Sequence, residues 1–218
     1  MAKLTGPLLS FGARGQIGKT MVASSWRGIA TARQYVVPAN PQTVAQQTNR
    51  TRFAFLRELW KRAPANAQAA FNAFASGRAF TGMNAFVGEN NRILVGEVNI
   101  DALEASPGAG GGLAPLSILV TAGLATGEID VTLNAPAQLP AGWAIVSAQF
   151  MALPSQDPTG ILAGLIVSAQ DLVAPYTQTL AGFTVGETIN VMGWFVYTKD
   201  NGKTAYSVSL NDSAVAPA

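Results

Sequence analysis

Few residues in this chain are of types that could carry chemistry, and their spacing argues against it. Gly18-Lys19-Thr20 ends a glycine-rich stretch and has the final triad of a phosphate-cradling loop. Such a loop also needs a glycine where Ala13 stands, because the tight turn there lets backbone amides surround phosphate oxygens. Gly12 is one place too early, and no apolar strand precedes the segment. The match is therefore expected to be coincidental. Carboxylates are the next candidates. Glu128 and Asp130 share the polar side of an alternating segment, Asp157 sits in Gln156-Asp157-Pro158-Thr159-Gly160, and Asp200 precedes Asn201-Gly202. A carboxylate hydrolase needs two acids held roughly 5–10 Å apart in a cleft, and nothing in the spacing brings a partner to any of these. All four read as solvated surface or turn residues.

The chain has no His and no Cys. That removes the commonest general base, the thiolate nucleophile, disulfides, and the usual zinc ligands together. No catalytic residue, cofactor or metal site is expected, and the reading is non-enzymatic.

Charge is informative by position. Residues 1–98 hold twelve Lys and Arg against three Glu, or +9, and residues 99–218 hold two Lys against nine acids, or −7, which balance to the net +2. A basic half followed by an acidic half predicts two modules with different surroundings, the basic one docking on something acidic. The docking candidates are Arg14, Lys19, Trp26, Arg27, Arg33, Arg57, Lys61 and Arg62. Arg50, Arg52, Arg57, Lys61 and Arg62 with nearby aromatics satisfy a loose requirement for nucleic-acid binding. Those aromatics form a helix's apolar stripe, however, so they are expected to be buried, and nucleic acid is not the expected partner. No apolar run approaches the roughly 18 residues a membrane span requires. The opening MAKLTGPLLSFGARG lacks the features of a signal peptide. No membrane association is expected.

The elements that must position these residues follow from periodicity. Residues 1–18 predict an extended, glycine-rich arm. Lys19 to Ser25 and Ile29 to Val37 favour strands around a Trp26-Arg27-Gly28 turn. Pro38 and Pro41 break the second strand. Thr43-Val44-Ala45-Gln46 then has the form of a capping box and predicts a helix over about 44–62. Phe53, Leu56 and Trp60 would form its apolar stripe, widened by Phe55 and Leu59. Pro64 suits the start of a second helix carrying Ala67, Ala70, Phe71 and Phe74 and ended by Gly77. A third helix is expected over about 82–92, presenting Met83, Phe86, Val87 and Asn90. Phe53, Trp60, Phe71, Phe74 and Phe86 read as the core of this module.

Residues 99–115 are rich in Gly and Pro and read as a flexible linker. Beyond them the period changes to two. Glu128 to Asn134 alternates polar and apolar residues, as a half-buried strand does. Further strands are expected over 116–121, 143–152, 161–167, 176–185, 188–198 and 203–210, with a hairpin turn at Asp200-Asn201-Gly202. The fold class expected is an α+β N-terminal module (1–98; a β-hairpin and three helices), the linker 99–115, and an all-β sandwich of immunoglobulin or fibronectin III kind over 116–218.

Several of these residues resemble a known family. Gly15-x-Ile17-Gly18-Lys19, Ser25-Trp26-Arg27-Gly28, Ala32-Arg33 and Val37-Pro38-Ala39-Asn40-Pro41-Gln42-Thr43 with Gln46-Gln47 and Arg50 resemble small phage and prophage virion proteins, in which a glycine-bounded hairpin leads into a PANPxTxxQ helix start. The continuation through Trp60, Ala70-Phe71, Thr81-Gly82-Met83-Asn84-Ala85-Phe86 and Asn90 is similar to that family's following helices. The resemblance spans about residues 12–95. It implies a multi-copy or homo-oligomeric structural protein of a bacteriophage virion, partnered by the major capsid protein or another virion protein. A capsid decoration or cement role is the leading expectation. A head–tail connector, a tail or fibre component, or a host-surface-binding module using Trp143, Trp194 or Tyr206 are the alternatives, although Trp194, within Val191-Met192-Gly193-Trp194-Phe195-Val196, is expected to be core. The family has no settled catalytic residues, so none are carried over.

Overall fold

The computed structural model describes residues 2–4, 14–26, 29–37, 39–95, 100–160, 162, 164 and 166–218. The chain divides into two compact units, Met1–Thr43 and Val44–Ala218.

The first unit is an antiparallel sheet of β1 (Ala2–Leu4), β2 (Gly15–Ile17), β3 (Met21–Trp26) and β4 (Ile29–Gln34), in the order β1-β4-β3-β2. The expected hairpin is its centre: Trp26 pairs with Ile29 and Met21 with Gln34. The turn residues Arg27 and Gly28 lie outside the described residues. The expected extended arm of residues 1–18 instead contributes β1 and β2 where it is described. Within this sheet, Ala23 and Thr31 are the buried residues among those whose burial is described.

The second unit opens with three helices: α1 (Val44–Arg62), α2 (Ala65–Ala75) and α3 (Gly82–Ile93). The span of α1 is the one its periodicity predicts, and its buried face is the expected stripe without Phe53. Phe55, Leu56 and Leu59 point inward, Trp60 is half-buried, and Phe53 stays 52% exposed. Phe53 has helical spacing with Leu56 and Trp60, and the packing partners leave it outside the core. Pro64 caps α2 in an extended conformation. Gly77 ends the helical stretch with φ +76°, a left-handed backbone that suits glycine. Thr81 caps α3 by accepting from the Asn84 amide at 3.3 Å. Trp60, Phe71 and Phe86 interlock with ring centroids 5.1–6.2 Å apart.

The strands that follow are β5 (Pro107–Ala109), β6 (Ser117–Ala122), β7 (Glu128–Asn134), β8 (Ala144–Pro154), β9 (Val167–Asp171), β10 (Tyr176–Ala181), β11 (Thr188–Thr198), β12 (Thr204–Val208) and β13 (Leu210–Val215). One sheet has the order β10-β7-β6; the other runs β5-β12-β11-β8-β9, with β13 also paired to β11. The strand expected over 203–210 is two strands interrupted at Ser209. The strand expected over 161–167 begins only at Val167, and Leu162 and Ile166 pack into the helix-side core instead; residues 161, 163 and 165 lie outside the described residues.

The two sheets pack face to face. Val120, Ile129, Val131, Leu133 and Leu180 from one meet Phe150, Ile189, Val191, Phe195 and Tyr197 from the other. The opposite face of β8 and β11 is buried as well: Met151, Leu153, Met192 and Trp194 pack with Phe55, Leu56, Leu59, Phe71 and Phe86 of the helices. Side chains alternate between faces along a strand, so one central pair of strands serves two cores. The unit is a three-layer body of small sheet, large sheet and helices.

This corrects the expected division of the chain. The helices share a core with the sandwich, and the hairpin belongs to the other unit. The expected linker is also structured where it is described. Ile100, Leu103, Ala105 and Ser106 are buried. The Asn90 side chain accepts from the Glu104 amide at 2.7 Å and donates to the Glu104 carbonyl at 3.1 Å. Ser209 Oγ accepts from the amides of Ala105 and Ser106 at 3.1 and 3.3 Å. The glycines and prolines of this segment make turns on a packed surface, with β5 paired to β12.

Candidate docking surfaces

The Gly18-Lys19-Thr20 triad is the loop of a tight hairpin: Ile17 pairs with Met21, and Thr20 Oγ1 donates to the Ile17 carbonyl at 2.9 Å. Gly18 has φ +54°. A strand follows, where a phosphate-binding loop requires a helix whose amides face the anion. The isolated acids are placed as turn and surface chemistry requires. Asp157 Oδ1 accepts from both the amide and the hydroxyl of Thr159 at 2.7 Å, and these bonds hold its carboxyl below the ordinary carboxylate range. Asp200 lies at the β11–β12 turn against Gly142, where a Cβ would collide with its carboxylate. Among the described residues, no three of His, Cys, Asp or Glu are grouped to hold a metal.

Of the predicted docking residues, Arg14, Lys19 and Arg33 are exposed on the first unit. Trp26 ends β3, and Arg27 lies outside the described residues. The sheet face around Arg33 is concave, with a cavity of about 800 Å³ lined by Gln16, Val22, Arg33, Tyr35 and Val36. Residues 1–43 carry five Lys and Arg and no acid at all. Arg57, Lys61 and Arg62 are exposed on α1 in the second unit. There Glu58 bonds Lys61 at 3.2 Å and Arg62 at 3.4 Å, and these two cations hold its carboxyl below the ordinary range. The helix therefore presents a partly neutralised cluster, and Arg57 is its cation without an ion pair among the described residues. Exposed pairs of this kind add little stability, but they lower the local positive field.

The aromatic candidates separate. Trp194 is fully buried between the large sheet and the helices, so it cannot touch a ligand on the surface. Trp143 is half-buried, with Lys199 Nζ 4.3 Å from its ring centroid. Tyr206 is half-buried, and burial pushes its hydroxyl up. Tyr197 is buried, donates to the Leu113 carbonyl at 2.9 Å, and is pushed up to about 12 by burial.

A further surface was not anticipated from the residues. The outward side of the three-stranded sheet carries cross-strand rows Thr121–Asp130–Thr179 and Leu119–Thr132–Thr177, with Glu128 opposite Ala181. Its three strands contain no Lys or Arg. Asp130 Oδ1 accepts from the Thr179 hydroxyl at 2.6 Å. Glu128 has no ion pair among the described residues. The alternation of Glu128 to Asn134 was the signal available; which strands flank it was not written there.

No known protein-family profile matches the chain, and no curated protein matches it in sequence. Solved structures similar to it include a myokine (11% identity, covering 48% of this chain and 97% of the other, TM-score 0.35). The FN5 domain of Drosophila Lar is similar at 14% identity, 48% and 96% coverage, and TM-score 0.35. So are the chicken CNTN1 FN1-FN3 domains, at 13% identity, 49% and 32% coverage, and TM-score 0.35. The sandwich architecture rests on the strand order and the shared core described above.

Proposed function

We propose that this is a non-enzymatic structural protein of a bacteriophage particle, most closely a capsid decoration or cement protein. Its basic N-terminal strands anchor it and its sandwich body is displayed. The observation that carries this reading is the contrast between an N-terminal sheet with few buried residues among those described and a densely cored body whose residues 99–218 carry nine acids against two Lys. A short sheet of this kind is marginal in water until one of its faces is covered. With five cations and no acid, an acidic protein surface is the complementary cover. The residue-level resemblance over about 12–95 places the expectation among virion proteins.

Quantitative mass spectrometry of purified particles tests the reading, through the ratio of this chain to the major shell subunit. A ratio near that of the shell subunit is the expected result. A small fixed number would move the protein to the connector, tail or fibre, and absence from the particle would overturn the virion reading.

A further inference from the structure

We propose that the N-terminal sheet of one copy docks on the outward face of the three-stranded sheet of a neighbouring copy, joining copies head to tail. This rests on reading residues 1–43 as an electrostatic docking element, and it names the acidic surface they meet.

Two observations point to each other. On the first unit, the register puts Ile29, Val22 and Arg33 on one face of the sheet, and Arg14, Lys19, Val36 and Val37 are exposed in the same unit. That surface is apolar and cationic at once, with no acid in residues 1–43 to neutralise it. On the second unit, the β6-β7-β10 face offers the opposite set: Glu128 and Asp130, a lattice of threonines, the 55% exposed Leu119, and no cation in its strands. The second oxygen of Asp130 has no partner among the described residues, which leaves it to accept from a guanidinium. A depression of about 350 Å³ lined by Asp130, Thr132, Thr177 and Thr179 lies at this point. β-Branched residues on a regular strand make a flat, stiff surface, which suits contact with another sheet.

Charge also decides the symmetry. Two N-terminal sheets brought together would juxtapose ten cations without an acid, and two sandwich faces would juxtapose carboxylates. Like-charge contacts of either kind are unfavourable. Only the unlike pairing remains, and a contact between different patches of identical chains is heterologous: it propagates around a ring or along a row. An array of that form is what a shell-coating protein requires.

The test uses the full-length chain and sedimentation velocity at roughly 20 mM and 500 mM salt, between which the screening length falls about fivefold. Wild type is expected to sediment as multimers at low salt and as a monomer at high salt. Arg14→Ser/Lys19→Ser/Arg33→Ser and Glu128→Gln/Asp130→Asn, all surface changes whose folding is verified by circular dichroism, should each be monomeric at both. Mixed in equal amounts at low salt they should form a heterodimer and stop there, because one variant keeps the face and the other keeps the sheet. A monomeric wild type at low salt, as an intramolecular contact would give, overturns the proposal. So does continued assembly of either variant, or a mixture that stays monomeric. If the mixture stays monomeric while the triple variant still loses attachment to particles, this contact is wrong and the docking function stands.

Discussion

The two units solve the same problem differently. In residues 44–218 every layer covers another: the helices cover one face of β8 and β11, and the small sheet covers the other. In residues 1–43 a four-stranded sheet has Ala23 at 4% and Thr31 at 8% exposure as its buried described residues, while Ile17 and Ile29 of its strands are exposed. A sheet is stabilised by what lies on its faces more than by its hydrogen bonds, whose net contribution is about 1 kcal/mol each. The body therefore holds its fold internally, and the described residues of the N-terminal sheet offer few such internal contacts.

Trp194 is the residue with which to break this comparison. It sits on the helix-side face of β11, and replacing a fully buried Trp by Ala costs about 3–5 kcal/mol. Chemical denaturation of Trp194→Ala should show the helical circular dichroism signal and the sandwich's tyrosine environment lost in one earlier transition, because both layers share that core. Two separated transitions would mean that the helices fold apart from the sandwich, as the residue pattern first suggested. A matching change on the N-terminal sheet, Val22→Ser, should move this transition by less than about 0.5 kcal/mol.

The residue pattern went far for single elements and less far for their assembly. The α1 span, the β7 alternation and the central hairpin all followed from periods and breakers. The stripe on α1 was drawn too wide by one residue, because Phe53 fits a 3.6-residue repeat with Leu56 and Trp60, and only the partner layer leaves it out. The helix–sandwich union was also present, in a form read too narrowly. Phe150-Met151-Ala152-Leu153 and Val191-Met192-Gly193-Trp194-Phe195 are apolar without alternation, and a strand of that kind is buried on both sides. Such a run demands a second cover, which the three amphipathic helices supply. The segment around 99–115 was misread because Gly and Pro mark turns on a packed surface as readily as they mark linkers. The acidic sheet face needed strand order, which a one-dimensional period does not contain.

Asn90 sharpens the comparison at that segment. Its amide is fully buried and meets the Glu104 amide and carbonyl together with the Phe86 carbonyl. Asn90→Leu would keep the volume and strand the Glu104 backbone groups without partners. An unsatisfied buried polar group costs about 1–3 kcal/mol, so a loss of about 2 kcal/mol is expected in denaturant unfolding, with faster amide exchange across 100–106. Unchanged exchange there would show that the segment is held by other contacts and that the Asn90 bridge is incidental.

The smallest effect is expected at Glu104 itself, where the sign is the informative part. Burial raises its carboxyl above the ordinary 4.5, the neighbouring Glu89 raises it further, and Arg92 opposes both. The folded state therefore holds this proton more tightly than the unfolded chain does. The stabilisation is complete below the unfolded value and is lost as pH rises from about 4.5 through the raised folded value. Above that window the folded body carries a constant penalty for a half-buried charge. Glu104→Gln should flatten the stability profile across the window and leave the variant slightly more stable than wild type at neutral pH. Parallel profiles for the two proteins would mean that the segment leaves Glu104 as well solvated as the unfolded chain does. Because Asn90 contacts only the backbone of residue 104, the flattening should persist beside Asn90→Leu if packing sets the shift, and should vanish if the bridge alone holds the side chain in place.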